Sequence, residues 1–412
     1  MMDYTYSKND FKLSKQFVDA VLSMDKVYRK SFASSDESFQ EEGLVPVILT
    51  DITYDFIDNW NDIKKLFYSI YNEYKTIDNY IRKCYMFEQI ASVISLGEWL
   101  FENKCSTYRK LVNSLLFVNS NPISKIQVDR DKNSLNNLLS DKNYKGSFIE
   151  KLTNWKRDNI VEPELLHDAF KEIETNAKKK AISIGFSEIS DIDVKCVIEH
   201  DKPYSGYCDF KSKIIYINGD MEYTYSGLKH LIFHETHPGH MTHMQVRKIL
   251  VENEIVPVDA SLVITNTASS GVFEGLADNG LVFTGCVESK NDEIARLYQK
   301  LVSKVSITAA HMLHEENLGL EEVKHYFTET LCATEAAADS KIRMMTHSLR
   351  KPFIYSYWRG NEAVEDIYNK LPAYEKSEFI KYAYYNMNSI NTLKMFIRSE
   401  EHTSELQSLR HL

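Results

Sequence analysis

The chain has 412 residues, 43% hydrophobic and 26% charged, a globular composition that excludes a disordered or low-complexity chain. Its 14 glycines and 8 prolines are too few for a turn-dense all-β fold, and 59 acidic against 49 basic residues (net charge -10) disfavour a nucleic-acid backbone as partner. No segment approaches the roughly 20 uncharged apolar residues of a membrane span, no basic and then apolar leader opens the chain, and the six cysteines are scattered without a C-x-x-C pair; together these predict a cytoplasmic protein with reduced, mostly buried thiols.

From the N-terminus, Leu13, Phe17, Val21, Met24 and Tyr28 recur at steps of three and four, as do Phe56, Trp60, Ile63, Phe67, Ile70 and Tyr74. Each set puts one apolar stripe on one helix face, and stripes this short predict bundle packing rather than coiled coils. Residues 34–43 read as a short acidic loop. The run 85–101, interrupted by Glu88, Gln89 and Glu98, reads as a buried core helix. Residues 119–147 are poor in large apolar side chains and rich in Asn, Asp, Lys and Ser, which predicts a long loop or a poorly packed boundary. A helix is expected over about 163–180, with Pro163 in its first turn. The runs 194–198, 204–208 and 213–217 are short, β-branched or aromatic, and separated by turn residues, so a small sheet is expected there. From Tyr225 the pattern is helical almost to the end. The expected fold is therefore mostly α, with a helical region over 1–190 and a second region over 191–397 that opens on the sheet. Residues 398–408, RSEEHTSELQS, resemble the translation of a common sequencing-adapter oligonucleotide, so 398–412 reads as a non-native tail.

Chemistry concentrates in one place. Five of the 13 histidines (His230, His234, His237, His240 and His243) fall within KHLIFHETHPGHMTHMQ. Each buried imidazole needs a partner, and neutral imidazole is the commonest transition-metal ligand. His234 and Glu235 begin like H-E-x-x-H, but Pro238 holds the i+4 place and His240 stands at i+6. On an unbroken helix those two histidines diverge by about 120°. Pro238 cannot bond back to the carbonyl of His234, and Gly239 permits unusual backbone, so a break between the histidines is expected. Without such a break, the pairs His230/His234 or His234/His237 are the alternative chelators.

The string His234-Glu235-Thr236-His237-Pro238-Gly239-His240 resembles the H-E-x-x-P-G-H signature of the bacterial family named domain of unknown function 885. Phe273-Glu274-Gly275-Leu276-Ala277-Asp278 is similar to that family's E-G-W-A stretch, with Leu276 in place of Trp. Ile215-Tyr216-Ile217-Asn218, His314 and Ser356-Tyr357-Trp358-Arg359-Gly360 are looser matches, and the resemblance covers about residues 200–365. It implies a helical, gluzincin-like, zinc-dependent peptidase. His234, His240 and Glu274 would hold one zinc per chain, with an open position for water, and Glu235 would be the general base. Asp278, one turn after Glu274, would accept the other N–H of a ligand histidine, or else serve as a plain helix charge. His314 and Tyr357 are candidate oxyanion donors, each equally readable as a packing residue. Arg359 is a candidate for holding a substrate carboxylate, although a salt bridge suits it as well. The strand at 213–217 is expected to offer an edge to substrate backbone. The function expected is hydrolysis of short peptides. The alternatives are a zinc hydrolase of a non-peptide amide or ester, and a silent metal-binding protein acting by association.

Overall fold

The computed structural model describes residues 6–32, 43–104, 107–202 and 204–397, so the 34–43 loop, except for Gly43, and the adapter-like tail lie outside the described residues, as does Cys105. The first apolar stripe lies on α1 (Lys8–Phe32), with Leu13, Phe17, Val21, Met24 and Tyr28 all buried. The second lies on α2 (Trp60–Tyr74), capped by the Asn59 side chain, and Phe17 meets Phe67 at a ring distance of 5.9 Å. Phe56 precedes that helix and is 39% exposed, so the stripe starts one step later than its spacing suggests. Between these helices lies the short strand β1 (Val47–Ile48). The core helix expected at 85–101 is α3 (Tyr80–Glu102), followed by α4 (Tyr108–Leu116).

The loop expected at 119–147 is instead largely helix. α5 (Lys125–Asp141) starts at a reciprocal cap between Ser124 and Gln127, and Val128, Leu135 and Leu139 supply its buried face. One cap and three apolar contacts suffice because the helix packs on a longer neighbour, and its polar residues occupy the solvent faces. Next come α6 (Phe148–Asp158) and, after a 3-10 turn at Pro163–Leu165, α7 (Leu166–Ser183).

The sheet forms as expected from β2 (Lys195–Glu199), β3 (Gly206–Asp209) and β4 (Ile214–Asn218). Its order is β2-β4-β3, with β4 parallel to β2 and antiparallel to β3. This corrects the edge expected at 213–217: β4 is the central strand, bonded on both sides, and the outer strands are β2 and β3.

Helix α8 (Tyr225–Glu235) leads into α9 (His240–Glu252), and β5 (Leu262–Val263) returns to pair with β1. The remainder is helical: α10 (Ser270–Asp278), α11 (Gly280–Phe283), α12 (Lys290–His314), α13 (Leu320–Leu331), α14 (Glu335–Thr346), α15 (Ile354–Lys370), α16 (Lys376–Tyr385) and α17 (Ile390–Leu393). The chain is mostly α. Its buried apolar side chains form one cluster from Leu13 to Phe396, so α1 to α7 and the histidine-rich region share a core. Within it, the Arg82 guanidinium on α3 clasps Asp259 at 2.9 and 2.6 Å, and Ser14 on α1 donates to the same carboxylate. Such a buried pair is tolerated because bidentate bonds offset the desolvation of both charges. Of the described cysteines, Cys208 and Cys286 are buried and Cys84, Cys196 and Cys332 half-buried, all as free thiols. Among the described residues no helix is long and apolar enough to cross a membrane.

Candidate metal centre

The backbone between His234 and His240 breaks where the sequence predicts. Helix α8 ends at Glu235, the His237–Pro238 bond is cis, and α9 begins at His240. The fold-back is tight: Gly239 donates to the Phe233 carbonyl at 3.1 Å, and a Cβ on Gly239 would stand 1.8 Å from the His234 carbonyl oxygen. Only glycine fits there. The break turns the two rings toward each other, with centroids 4.6 Å apart at 82°, and Phe273 stacks on His240 at 4.2 Å to fix its plane.

Helix α10 supplies the third group. Glu274 Oε2 lies 3.3 Å from His234 Nε2 and 3.7 Å from His240 Nε2, and ligand atoms of the three residues all lie within 4.8 Å of one another. Around tetrahedral zinc with bonds of about 2.0–2.1 Å, neighbouring ligands stand about 3.3–3.4 Å apart. The donor set therefore fits such an ion. Glu274 Oε2 is buried and has no hydrogen-bond donor of its own, which is the state of an acceptor aimed at a cation.

Asp278, one turn along α10, takes the other face of His234, with Oδ1 2.9 Å from Nδ1. It also lies 3.4 Å from His230 Nε2 and accepts from the Asn361 side-chain amide at 3.3 Å. His230, His234 and Asp278 thus make a second group able to hold a metal, in which Asp278 already engages Nδ1 of His234. The His234/His237 alternative is not assembled. His237 turns away, with Nδ1 2.8 Å from the Thr242 hydroxyl and Nε2 facing Glu174.

The electrostatics ask for positive charge at this point. Burial works against a protonated His234, yet Asp278 and Glu274 outweigh it and raise its pKa well above the imidazole range. Burial, and after it the charge of His234, push His240 the opposite way. Burial dominates Asp278 too, but the bonds from His230 and His234 prevail and lower its pKa. Burial raises Glu274 and, aided by Glu274 and Asp278, lifts Glu235 up to about 7. A proton on His234 is the charge the carboxylates demand, and a metal ion between the ligands would supply the same charge.

These groups line one wall of a cavity of about 670 Å³, which Glu235, Tyr357 and the β3 stretch 204–208 also line. Tyr357 comes from α15, packs on Phe353 at 5.6 Å, and has its pKa pushed well above its ordinary value by burial and by Glu274. Two expected site residues are elsewhere. His314 Nε2 bonds the Met345 carbonyl at 2.8 Å and its ring lies 4.4 Å from Tyr108, so it ties helices together outside the cavity lining. Arg359 is spent on the carbonyls of Asn119 and Asn121, both at 2.9 Å, and on Glu362, so it anchors a turn instead of a substrate. Conversely, the cavity includes Arg350, Lys341 and Asn361, which the sequence did not single out, and Phe273 and His243, which lie in its motifs without an assigned role. Asn361 was findable, at i+4 from Tyr357; Lys341 and Arg350 carry no local signal.

No family model matches the chain, and no curated protein matches it. Among solved structures, the fold is similar to that of a putative lipoprotein from Colwellia psychrerythraea, with a TM-score of 0.52 and 15% identity over 82% of this chain and 66% of that one. It is also similar to a putative lipoprotein of unknown function from Shewanella oneidensis, with a TM-score of 0.53 and 11% identity over 93% of this chain and 73% of that one. The chain thus spans 66% of the first neighbour's length. The cytoplasmic expectation is corrected by this finding, because lipoproteins are membrane-anchored and not cytoplasmic. Unpaired cysteines had suggested that compartment, but they report only that the fold does not rely on disulfides. At such low identities the likeness is one of fold alone.

Proposed function

We propose that the chain is a zinc-dependent hydrolase, a metallopeptidase-like enzyme acting on short peptides, and that it belongs with the domain of unknown function 885 proteins its motifs resemble. The observation that carries this reading is the convergence of His234 Nε2, His240 Nε2 and Glu274 Oε2 on one buried point beside a cavity. Two imidazoles and one carboxylate make a catalytic set, whereas a structural site is closed by a fourth protein ligand. A zinc ion held there supplies Lewis acidity, polarising an acyl oxygen and acidifying water toward about pH 7.

The chain's own residues do the rest. Glu235, buried beside His234, takes the proton of the attacking water and returns it to the leaving amine. Asp278 orients His234 and holds its tautomer. Tyr357 keeps its proton and donates to the developing oxyanion. The outer edge of β3 offers backbone groups to an extended peptide.

Elemental analysis of wild type beside His240→Ala tests the reading, with about one zinc per chain expected in the first and loss in the second. Glu235→Gln is expected to keep the metal and lose hydrolysis of a di- and tripeptide mixture by about 10²–10⁴-fold. Wild-type protein that takes up no zinc on reconstitution overturns it.

A further inference from the structure

The cations lining the cavity are almost all engaged. Arg247 donates to the carbonyls of Ala260 and Leu262, Arg296 and Lys300 are paired with Glu365, and Lys156 is held by the Tyr298 hydroxyl and the Cys332 carbonyl. Lys341 on α14 is different. It lines the same cavity half-buried, and its ammonium makes no hydrogen bond or ion pair with any described residue. The carboxylate whose charge it feels is Asp278, which His230, His234 and Asn361 already hold. Arg350, nine residues further on, lines the cavity as well, and its charge bears on Glu274 and Tyr357. The 341–350 stretch thus brings two cations to a site whose metal ligands come from α8, α9 and α10.

We infer that Lys341 is the docking cation for a free carboxylate on the substrate, which makes that substrate an N-acyl amino acid or the C-terminal end of a short peptide. An ammonium that faces a cavity with no anion of its own is open to a carboxylate ligand, which it would hold by a charge-assisted hydrogen bond. Burial lowers the Lys341 pKa, the direction expected of a cation that lacks its anion. The inference rests on the hydrolase reading above and deepens it: cleavage becomes terminal, because the interior of a long chain presents no α-carboxylate.

The test is calorimetric and needs no turnover. N-benzoylglycine and its carboxamide are titrated into zinc-reconstituted protein carrying Glu235→Gln, alone and combined with Lys341→Met or Lys341→Arg, with zinc content measured on every sample. The carboxylate is expected to bind about 10-fold tighter than the carboxamide. That ratio is expected to fall to about one in the Met variant and to recover in large part in the Arg variant. Equal binding of the two probes, binding of neither, or a preference that survives Lys341→Met overturns the inference. If zinc is bound in those cases, the metal-centre reading stands. If the protein takes up no zinc, that reading falls, and the same ratios on the metal-free chain still decide the role of Lys341.

Discussion

Gly360→Ala is a substitution whose sign alone is informative. Gly360 lies within α15, which carries Tyr357 and Asn361, and it crosses α10, which carries Glu274 and Asp278. A Cβ at 360 would sit 1.9 Å from the carbonyl oxygen of Gly271, and a Cβ at 275 would sit 2.4 Å from that of Gly360. Both obstacles are backbone, so no rotamer change relieves the clash and the helices must part by about 1 Å. Overpacking of this kind costs about 3 kcal/mol, while alanine gains about 1 kcal/mol over glycine in a helix. The net loss is then about 2 kcal/mol. For a cooperative transition of 412 residues, the unfolding entropy is about 0.9 kcal/mol/K, so the melting temperature should fall by about 2 °C. Differential scanning calorimetry of the zinc-loaded protein reads that shift. Zinc affinity should fall about tenfold with it, because Glu274 moves relative to the two histidines. A variant that melts about 1 °C higher would mean that helix propensity is unopposed, and would refute the close crossing.

Asp278→Asn should keep the shape of α10 and leave His234 Nδ1 without its carboxylate, weakening zinc by about 10- to 100-fold in competition with a chromophoric chelator. An unchanged affinity would remove Asp278 from the metal site. Asp259→Asn strands the buried Arg82 guanidinium, whose next nearest carboxylate is Asp10 at 3.8 Å; about 3 kcal/mol of stability should be lost in urea titrations at unchanged zinc content. A neutral effect would mean that water reaches the pair.

The histidine pairing was legible in the chain because its determinants are local. Pro238 removes a donor and Gly239 lets the chain fold back on the His234 carbonyl, so residues six apart meet through backbone chemistry that any reader of the string can work out. The stripes on α1 and α2 and the short β-branched or aromatic runs of β2 to β4 are local in the same sense. Residues 125–141 defeated a composition reading because a helix with three buried side chains owes its stability to what it packs against. Two residues of the loose motif matches lie away from the cavity for a related reason. His314 and Arg359 have plausible chemistry, yet their helices aim them at Met345 and at Asn119 and Asn121. The cavity wall from Lys341 to Arg350 was invisible, because a single cation in an amphipathic helix carries no mark of whether water, a carboxylate or a cavity will face it. Spacing along a chain dictates which side chains share a face, but the opposing surface is chosen by how closely distant helices approach, here glycine against glycine at the crossing of α10 and α15.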